Sequence, residues 1–242
     1  MASLKRFFVD KIEDVTYLLG EEFEHAKNVL RLGVGAEVIL LDNSGMEYTA
    51  VIASVEKKQM TLNVVRKEVG TREAEKDVCL LFGYLKNADK NEFIVQKAVE
   101  LGVKKIGVFS SEYSSAFMNA NKLERLNKVA KEASKQCLRA TAPKVVYYEN
   151  LEKALVSAND CKVKLFACEF AEKSETDIRE IDKTDGSVAL VIGSEGGFSR
   201  EEATLAKELG FSHLTLGKRI LRAETAAVAL TSIVMFSLGE ME

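Results

Sequence analysis

Metal ligands are scarce in this sequence. His25 and His213 are its only histidines in 242 residues, and the four cysteines, Cys79, Cys137, Cys161 and Cys168, include no C-x-x-C pair. Zinc sites need such ligands clustered at short, fixed spacings, so no metal is expected, and the thiols are expected to be reduced fillers of core or half-buried positions. Long apolar runs are missing too. The longest, Ala226 to Leu238, is interrupted by Thr231, Ser232 and Ser237 and is too short to span a bilayer. The segment from Met1 to Asp14 mixes Lys5, Arg6, Asp10 and Lys11 among its apolar residues, unlike the unbroken apolar stretch of a signal peptide. A cytoplasmic protein with no membrane partner is therefore expected. No repeat period or low-complexity segment is present, and the single proline, Pro143, is expected to mark the end of a basic helix. Two phosphate-binding signatures are also absent, the G-x-x-x-x-G-K-[ST] loop of nucleoside triphosphate sites and the G-x-G-x-x-G turn of dinucleotide folds.

What is present is an ordinary globular balance, 47% hydrophobic and 29% charged, in a chain long enough to bury a self-sufficient core. A net charge of −3 argues against a protein that coats nucleic acid indiscriminately. One stretch departs from it: between Lys122 and Lys144 seven basic residues stand against Glu124 and Glu132. Within that stretch Lys128, Lys131, Lys135 and Arg139 recur at helical spacing, which predicts one basic stripe, opposite an apolar side of Leu123, Leu126, Ala130, Ala133 and Cys137. Such a stripe can bind RNA phosphates or merely solvate a helix.

Short strands are predicted first: Val38 to Leu41, the turn Asp42 to Gly45, an alternating run from Met46 to Ile52, and Met60 to Val65 after the Lys57-Lys58-Gln59 turn. They suggest a small β-barrel or sheet. The charged stretch from Arg66 to Asp77 reads as a linker, because composition and periodicity both change across it. Beyond it, Val78 to Leu85, a helix from Asn91 to Leu101 stopped by Gly102, and Lys105 to Phe109 make a βαβ unit and imply a parallel sheet. Further strands are predicted at Val163 to Ala167, Val188 to Ile192 and His213 to Leu216, with helices from Arg200 to Leu209 and Glu224 to Leu238. Two domains are expected, residues 1–70 and 74–242.

Two segments carry the chemistry. In the first, an apolar strand runs into Gly193-Ser194-Glu195-Gly196-Gly197-Phe198-Ser199. Its glycines let backbone amides approach a ligand closely at the carboxyl end of a parallel strand, and Ser199 with Glu202 matches a capping box. The second, Leu214 to Ala226, places Lys218, Arg219 and Arg222 at the mouth of a long helix, a potential site for phosphate or for charge developing on a substrate.

G-S-E-G-G-F-S followed by L-G-K-R-I-L-R-A-E-T-A resembles the two closing motifs of the RsmE family of small-subunit ribosomal RNA uridine N3-methyltransferases, within the SPOUT superfamily. Three further blocks agree: His25 to Arg31, Gln96 to Val103, and Glu132 to Arg139. The resemblance covers nearly the whole chain. Ser194 and Lys218 stand where the family usually has proline, which should loosen the loops modestly, and Tyr113 stands where arginine is usual, which removes one potential RNA contact.

The resemblance implies a PUA-like β-barrel RNA-binding domain preceding an α/β, SPOUT-type knotted methyltransferase domain that works as a homodimer. The substrate is then small-subunit ribosomal RNA and the cofactor S-adenosylmethionine. Cofactor binding maps to Ala167, Cys168 and Glu169, to Gly193, Ser194, Glu195, Gly196 and Gly197, and to Leu216, Gly217, Ile220, Leu221 and Ala223. Arg222 is the candidate for steadying a uracil oxygen, with Glu195 or Glu224 as base. RNA contacts are expected from Lys27, Arg31, Lys86, Lys97, Lys128, Lys131, Lys135, Arg139 and Arg219. The alternatives are a noncatalytic ribosome-assembly protein on the same fold, or methylation at another RNA position.

Overall fold

The computed structural model describes residues 4–114, 116–170, 178, 181 and 186–241. The chain divides into two compact units, Met1–Glu73 with Ser134–Ala142, and Ala74–Ala133 with Pro143–Glu242.

The first unit is a five-stranded sheet of β1 (Lys5–Phe8), β2 (Val15–Leu19), β3 (Glu37–Leu41), β4 (Met46–Val55) and β5 (Gln59–Val69), in the order β1-β3-β4-β5-β2. Only β1 and β3 pair in parallel. Asn43 and Gly45 take positive φ, which permits the tight turn between β3 and β4. Alternation then sends Val38, Leu40, Ala50, Ile52, Met60 and Leu62 into one core with Phe7, Leu18 and, from the short helix α1 (Gly20–Glu24), Phe23, while two register shifts along β4 bend the ladder. Strand β5 runs to Val69, so the first third of the expected linker is strand. Its charged residues are tolerated because they sit on the exposed end of β5 beyond its pairing with β2, where β5 is an edge strand and Met46 pairs with Val69.

A return segment completes this unit. Helix α3 (Ala120–Gln136) stops short of Pro143, and Leu138 takes φ +66 just beyond its end. Ala140 and Ala142 then pack against Phe8, Ile39 and Leu41. Arg139, expected on the exposed basic stripe, lies past the helix and is 2% exposed, with Nη2 2.9 Å from Glu73. The Thr141 N–H donates to the other Glu73 oxygen at 3.0 Å. Lys135 is likewise committed, 2.8 Å from Glu22. Two of the four stripe cations therefore hold the first unit together. The expected contiguous division at residues 70 and 74 omits this segment, because its contacts join residues far apart in sequence.

The second unit is built on β6 (Asp77–Gly83), β7 (Lys105–Phe109), β8 (Val145–Tyr148), β9 (Val163–Ala167), β10 (Ser187–Ile192) and β11 (Ser212–Leu214). Every pairing is parallel, in the order β11-β9-β10-β6-β7-β8. The near-continuous burial of β6 and β10 is what a parallel sheet covered on both faces requires. Helix α2 (Ala88–Glu100) starts at Asn87, whose side chain accepts the Asp89 N–H, and buries Ile94, Val95, Ala98 and Val99; Gly102 at φ +90 turns the chain into β7. Helices α4 (Leu151–Val156) and α5 (Arg200–Glu208) contribute to a core centred on Phe109, Phe166, Phe198 and Phe211. Helix α6 (Ala223–Ser237) buries Ala227, Leu230, Val234 and Met235 and leaves Ile233 and Phe236 exposed. Among the described residues, no helix is long and apolar enough to cross a membrane.

Burial works against ionisation of Glu73, but the Arg139 guanidinium and the Thr141 N–H outweigh it and hold the carboxyl below the usual range. A lowered folded value stabilises the fold above the ordinary glutamate pKa of about 4.3, and that contribution is lost as pH falls through the folded value. Glu73→Gln should therefore destabilise by about 3 kcal/mol near neutral pH in urea titrations. The gap from wild type should narrow in acid, and a gap independent of pH would contradict the assignment.

Candidate functional site

Since all strands of the second sheet are parallel, their carboxyl ends share one edge. Ile192 is in register with Ala167 on one side and Phe82 on the other, and Leu214 is in register with Ala167. The segments leaving β9, β10 and β11 therefore start side by side, and they enclose a cavity of about 600 Å³. Its lining includes Ala167, Cys168 and Glu169, Gly193 to Gly197, and Leu216 to Ala223, so every residue expected to bind the cofactor faces one space. Glu224 and Ala226 continue the wall. Lys90, from the first turn of α2, was not expected; its local sequence carries no signal for the site, and only the fold brings it there.

The glycine loop is shaped by close approach. Gly83 ends β6 against it: a Cβ there would lie 2.6 Å from the Ser194 nitrogen. Gly197, at φ +69, donates its N–H to the Ser194 carbonyl at 3.0 Å, closing a tight turn. At Gly196, however, a Cβ would meet Tyr113, 2.6 Å from its Cβ and 2.9 Å from its carbonyl oxygen. Gly196 is thus required by a neighbouring loop, whereas the sequence suggested that its missing side chain reserves room for the ligand. Ser199 forms the expected capping box with Glu202, and the same Glu202 carboxylate accepts the Glu112 N–H at 2.9 Å. Ser194 is buried, with its hydroxyl 3.3 Å from that of Ser111, so the position where proline is usual is tied by a side-chain contact.

The cationic loop begins with Gly217 at φ +100, where a Cβ would meet nothing within 4 Å, and ends at Arg222, the exposed N-cap of α6. Glu224, in the first turn of α6, pairs with Lys90 at 2.9 Å. Burial opposes its ionisation, but Lys90, its own backbone N–H and the charge of Arg222 prevail and hold it below the usual carboxylate range. Its Oε2 is buried and has no hydrogen-bond partner among the described residues. Glu195 is exposed at the lip and accepts the Lys86 N–H at 3.1 Å. The site thus sets three cationic side chains of one loop beside carboxylates, around backbone left bare by glycine. Among the described residues no cluster of three or more His, Cys, Asp or Glu is placed to hold a metal ion.

Residues 72–235 match the RNA methyltransferase domain family and residues 18–65 the RNA methyltransferase PUA domain. The ribosomal RNA small subunit methyltransferase E of Mesomycoplasma hyopneumoniae is 35% identical over 170 residues, 69% of this chain and 73% of that protein. The chain belongs to the ribosomal RNA small subunit methyltransferase E family. The Bacillus subtilis member is 29% identical over 96% of both chains. The Neisseria gonorrhoeae member, crystallised with S-adenosylmethionine, superposes with TM-score 0.86 at 27% identity, covering 97% of this chain and 98% of that one. A Legionella pneumophila methyltransferase, also holding that cofactor, superposes with TM-score 0.89 at 28% identity over 98% of both chains. The two-domain α/β architecture with a PUA-like first unit is that of the family.

The residues expected to contact RNA fall into distinct settings within this family fold. Arg219 lines the cavity and the exposed Lys86 lies in the loop after β6. Lys128 and Lys131 are exposed on α3. Lys97 pairs with Glu100 at 2.8 Å. In the first unit Arg31 is exposed at φ +54, and Lys27 donates to the Glu56 carbonyl over the Phe23 ring. Lys135 and Arg139 are withdrawn from the surface set by their ion pairs with Glu22 and Glu73.

The collision at Gly196 makes a test. Gly196→Ala should destabilise by about 1–3 kcal/mol in urea unfolding through overpacking. Part of that loss should return in the Gly196→Ala/Tyr113→Gly double variant; an equal loss in both backgrounds would show that Tyr113 is not what the added methyl meets.

Proposed function

We propose that this chain methylates N3 of a specific uridine in small-subunit (16S) ribosomal RNA, using S-adenosylmethionine. The observation that carries the reading is the convergence of the three cavity-forming segments in a member of a family whose namesakes are ribosomal RNA methyltransferases. The cavity suits the cofactor: its volume is that of a small-molecule site. Gly217 leaves open space beside its backbone, and the buried, unpartnered Oε2 of Glu224 is suited to face a cation. Glycine loop, post-β9 segment and cationic loop would hold it together. When bound, S-adenosylmethionine supplies an electrophilic methyl group.

Uracil N3 carries a proton and shares its lone pair with two carbonyls, so it attacks only as that proton leaves. Arg222, exposed at the cavity wall, is assigned to the uracil oxygen on which negative charge develops. Glu224 is held ionised by Lys90 and Arg222, which makes it a weak proton acceptor and suits it to orient the Arg222 guanidinium. Glu195, at the lip, is then the candidate base. The acceptor base has to leave any stack to reach the cavity, as base chemistry requires. Exposed Lys128 and Lys131 on α3 serve RNA phosphates.

The exposed apolar residues Ile233 and Phe236 of α6 support a homodimer that covers them. The insertion of β10 between β6 and β9 fits the threaded, knotted connection of the SPOUT superfamily. A ribosomal RNA substrate supports a cytoplasmic location.

Methyl incorporation from labelled cofactor into RNA of cells lacking the protein, followed by mass spectrometry of the nucleosides, tests the reading. 3-Methyluridine is expected; another methylated nucleoside would change the acceptor, and none would favour a noncatalytic assembly role. Arg222→Ala should slow single-turnover methylation at saturating RNA and cofactor on the order of 100- to 1,000-fold, because uracil is neutral until the transition state. A near-normal rate would make Arg222 an RNA-positioning residue. Neutralising Lys128 and Lys131 together should reduce the salt slope of RNA binding by roughly 1.4–1.8, with cofactor affinity unchanged.

A further inference from the structure

The mechanism leaves unused two exposed aromatic residues, Tyr113 against the glycine loop and Phe117 four residues further along the chain. Tyr113 is 52% exposed and Phe117 is 79% exposed, in the connection between β7 and α3, on the same carboxyl edge of the sheet as the cavity. Both stand in solvent, and Tyr113 does so against Gly196, a residue of the cavity wall.

Their backbone is held firmly. Tyr113 is packed on Gly196 so closely that a methyl group would not fit between them. The Glu112 N–H is bound by Glu202 of the α5 capping box, and Ser111 donates its N–H to Ser114 Oγ at 2.8 Å while its hydroxyl meets that of Ser194. On the other side of Phe117, Asn119 accepts the Lys122 N–H at 2.9 Å, and Lys122 Nζ donates to the Phe117 carbonyl at 2.7 Å. Hydrogen bonds thus hold the backbone on the near side of Tyr113 and at Phe117. Tyr113 does not line the cavity, but its Cβ and carbonyl lie against Gly196, which does.

We propose that Tyr113, followed by Phe117 in the same connection, offers stacking faces to unpaired RNA bases adjacent to the methylated one. The inference rests on the RNA-methylating reading above. An aromatic face beside a cationic mouth, where Lys86, Arg219 and Arg222 supply charge for phosphates, is the chemistry that recognises single-stranded nucleic acid. Extruding an acceptor base exposes the faces of its neighbours, and a fixed aromatic ring recovers part of the stacking lost. The contact discriminates weakly among bases, because each has a π-face, so this platform sets the path of the strand more than its sequence.

Affinity of the full-length protein for a small-subunit ribosomal RNA transcript, with saturating S-adenosylmethionine, tests it. Tyr113→Ala retains the Cβ that packs on Gly196 and should keep cofactor affinity. It should weaken RNA binding about 5- to 150-fold, with the salt slope unchanged because no phosphate contact is lost. Tyr113→Phe should bind like wild type, and Phe117→Ala should weaken binding in the same way. The chain has no tryptophan, so Tyr113→Trp introduces a lone indole whose emission the RNA should quench by stacking. Unchanged affinity in both alanine variants, or a loss in Tyr113→Phe equal to that in Tyr113→Ala, would overturn the platform. If the wild-type protein neither bound nor methylated the transcript, the proposed function itself would fall; normal wild-type activity with indifferent alanine variants would remove the platform alone.

Discussion

The pairing of β10 with β6 on one side and β9 on the other is the constraint on which the site depends. Parallel strands all point the same way, so this one register brings the ends of three separated segments to a common edge. β11 joins by pairing with β9 rather than with β10. A slip of one residue would reverse which side chains face the helices, and the buried run from Val188 to Ile192 makes that slip costly on either face.

Close packing at this edge explains the glycines better than ligand approach alone. Gly83 gives way to the Ser194 backbone, Gly196 to Tyr113, and Gly197 supplies a positive φ. The loop is consequently held from two sides by protein before any ligand arrives. Such preorganisation suits the proposed site, since donors held at fixed positions leave little rearrangement to be made during reaction.

Charge is arranged with similar economy. Lys90 reaches Glu224 across the cavity wall, and Glu224 in turn stands beside Arg222, so a carboxylate, an ammonium and a guanidinium share one neighbourhood. In the first unit the buried guanidinium of Arg139 does structural work with Glu73, and Lys135 does so with Glu22. The same residue types therefore play opposite parts, and burial, rather than identity, separates them.

Features with causes inside a few residues were legible in the sequence: the turn at Asp42 to Gly45, the helix stop at Gly102, the capping box of Ser199 and Glu202, and the cavity-lining segments themselves. Each follows from backbone freedom or from neighbours one helical turn apart. What the sequence could not decide were contacts between distant residues. A charge at helical spacing looks the same whether it meets water or a carboxylate, so Arg139 and Lys135 read as surface stripe until the return segment met Glu73 and Glu22. Lys90 has no local reason to enter the site, and Gly196 has no local reason to meet Tyr113. The sequence by itself determined the family, the segments that line the cavity and the longer elements, but not the short β1, β2, β8 and α4, whose few residues carry too little periodicity to read. Tertiary structure alone decided which of the expected cations are withdrawn into ion pairs, because burial and pairing arise only when segments far apart in the chain are brought together.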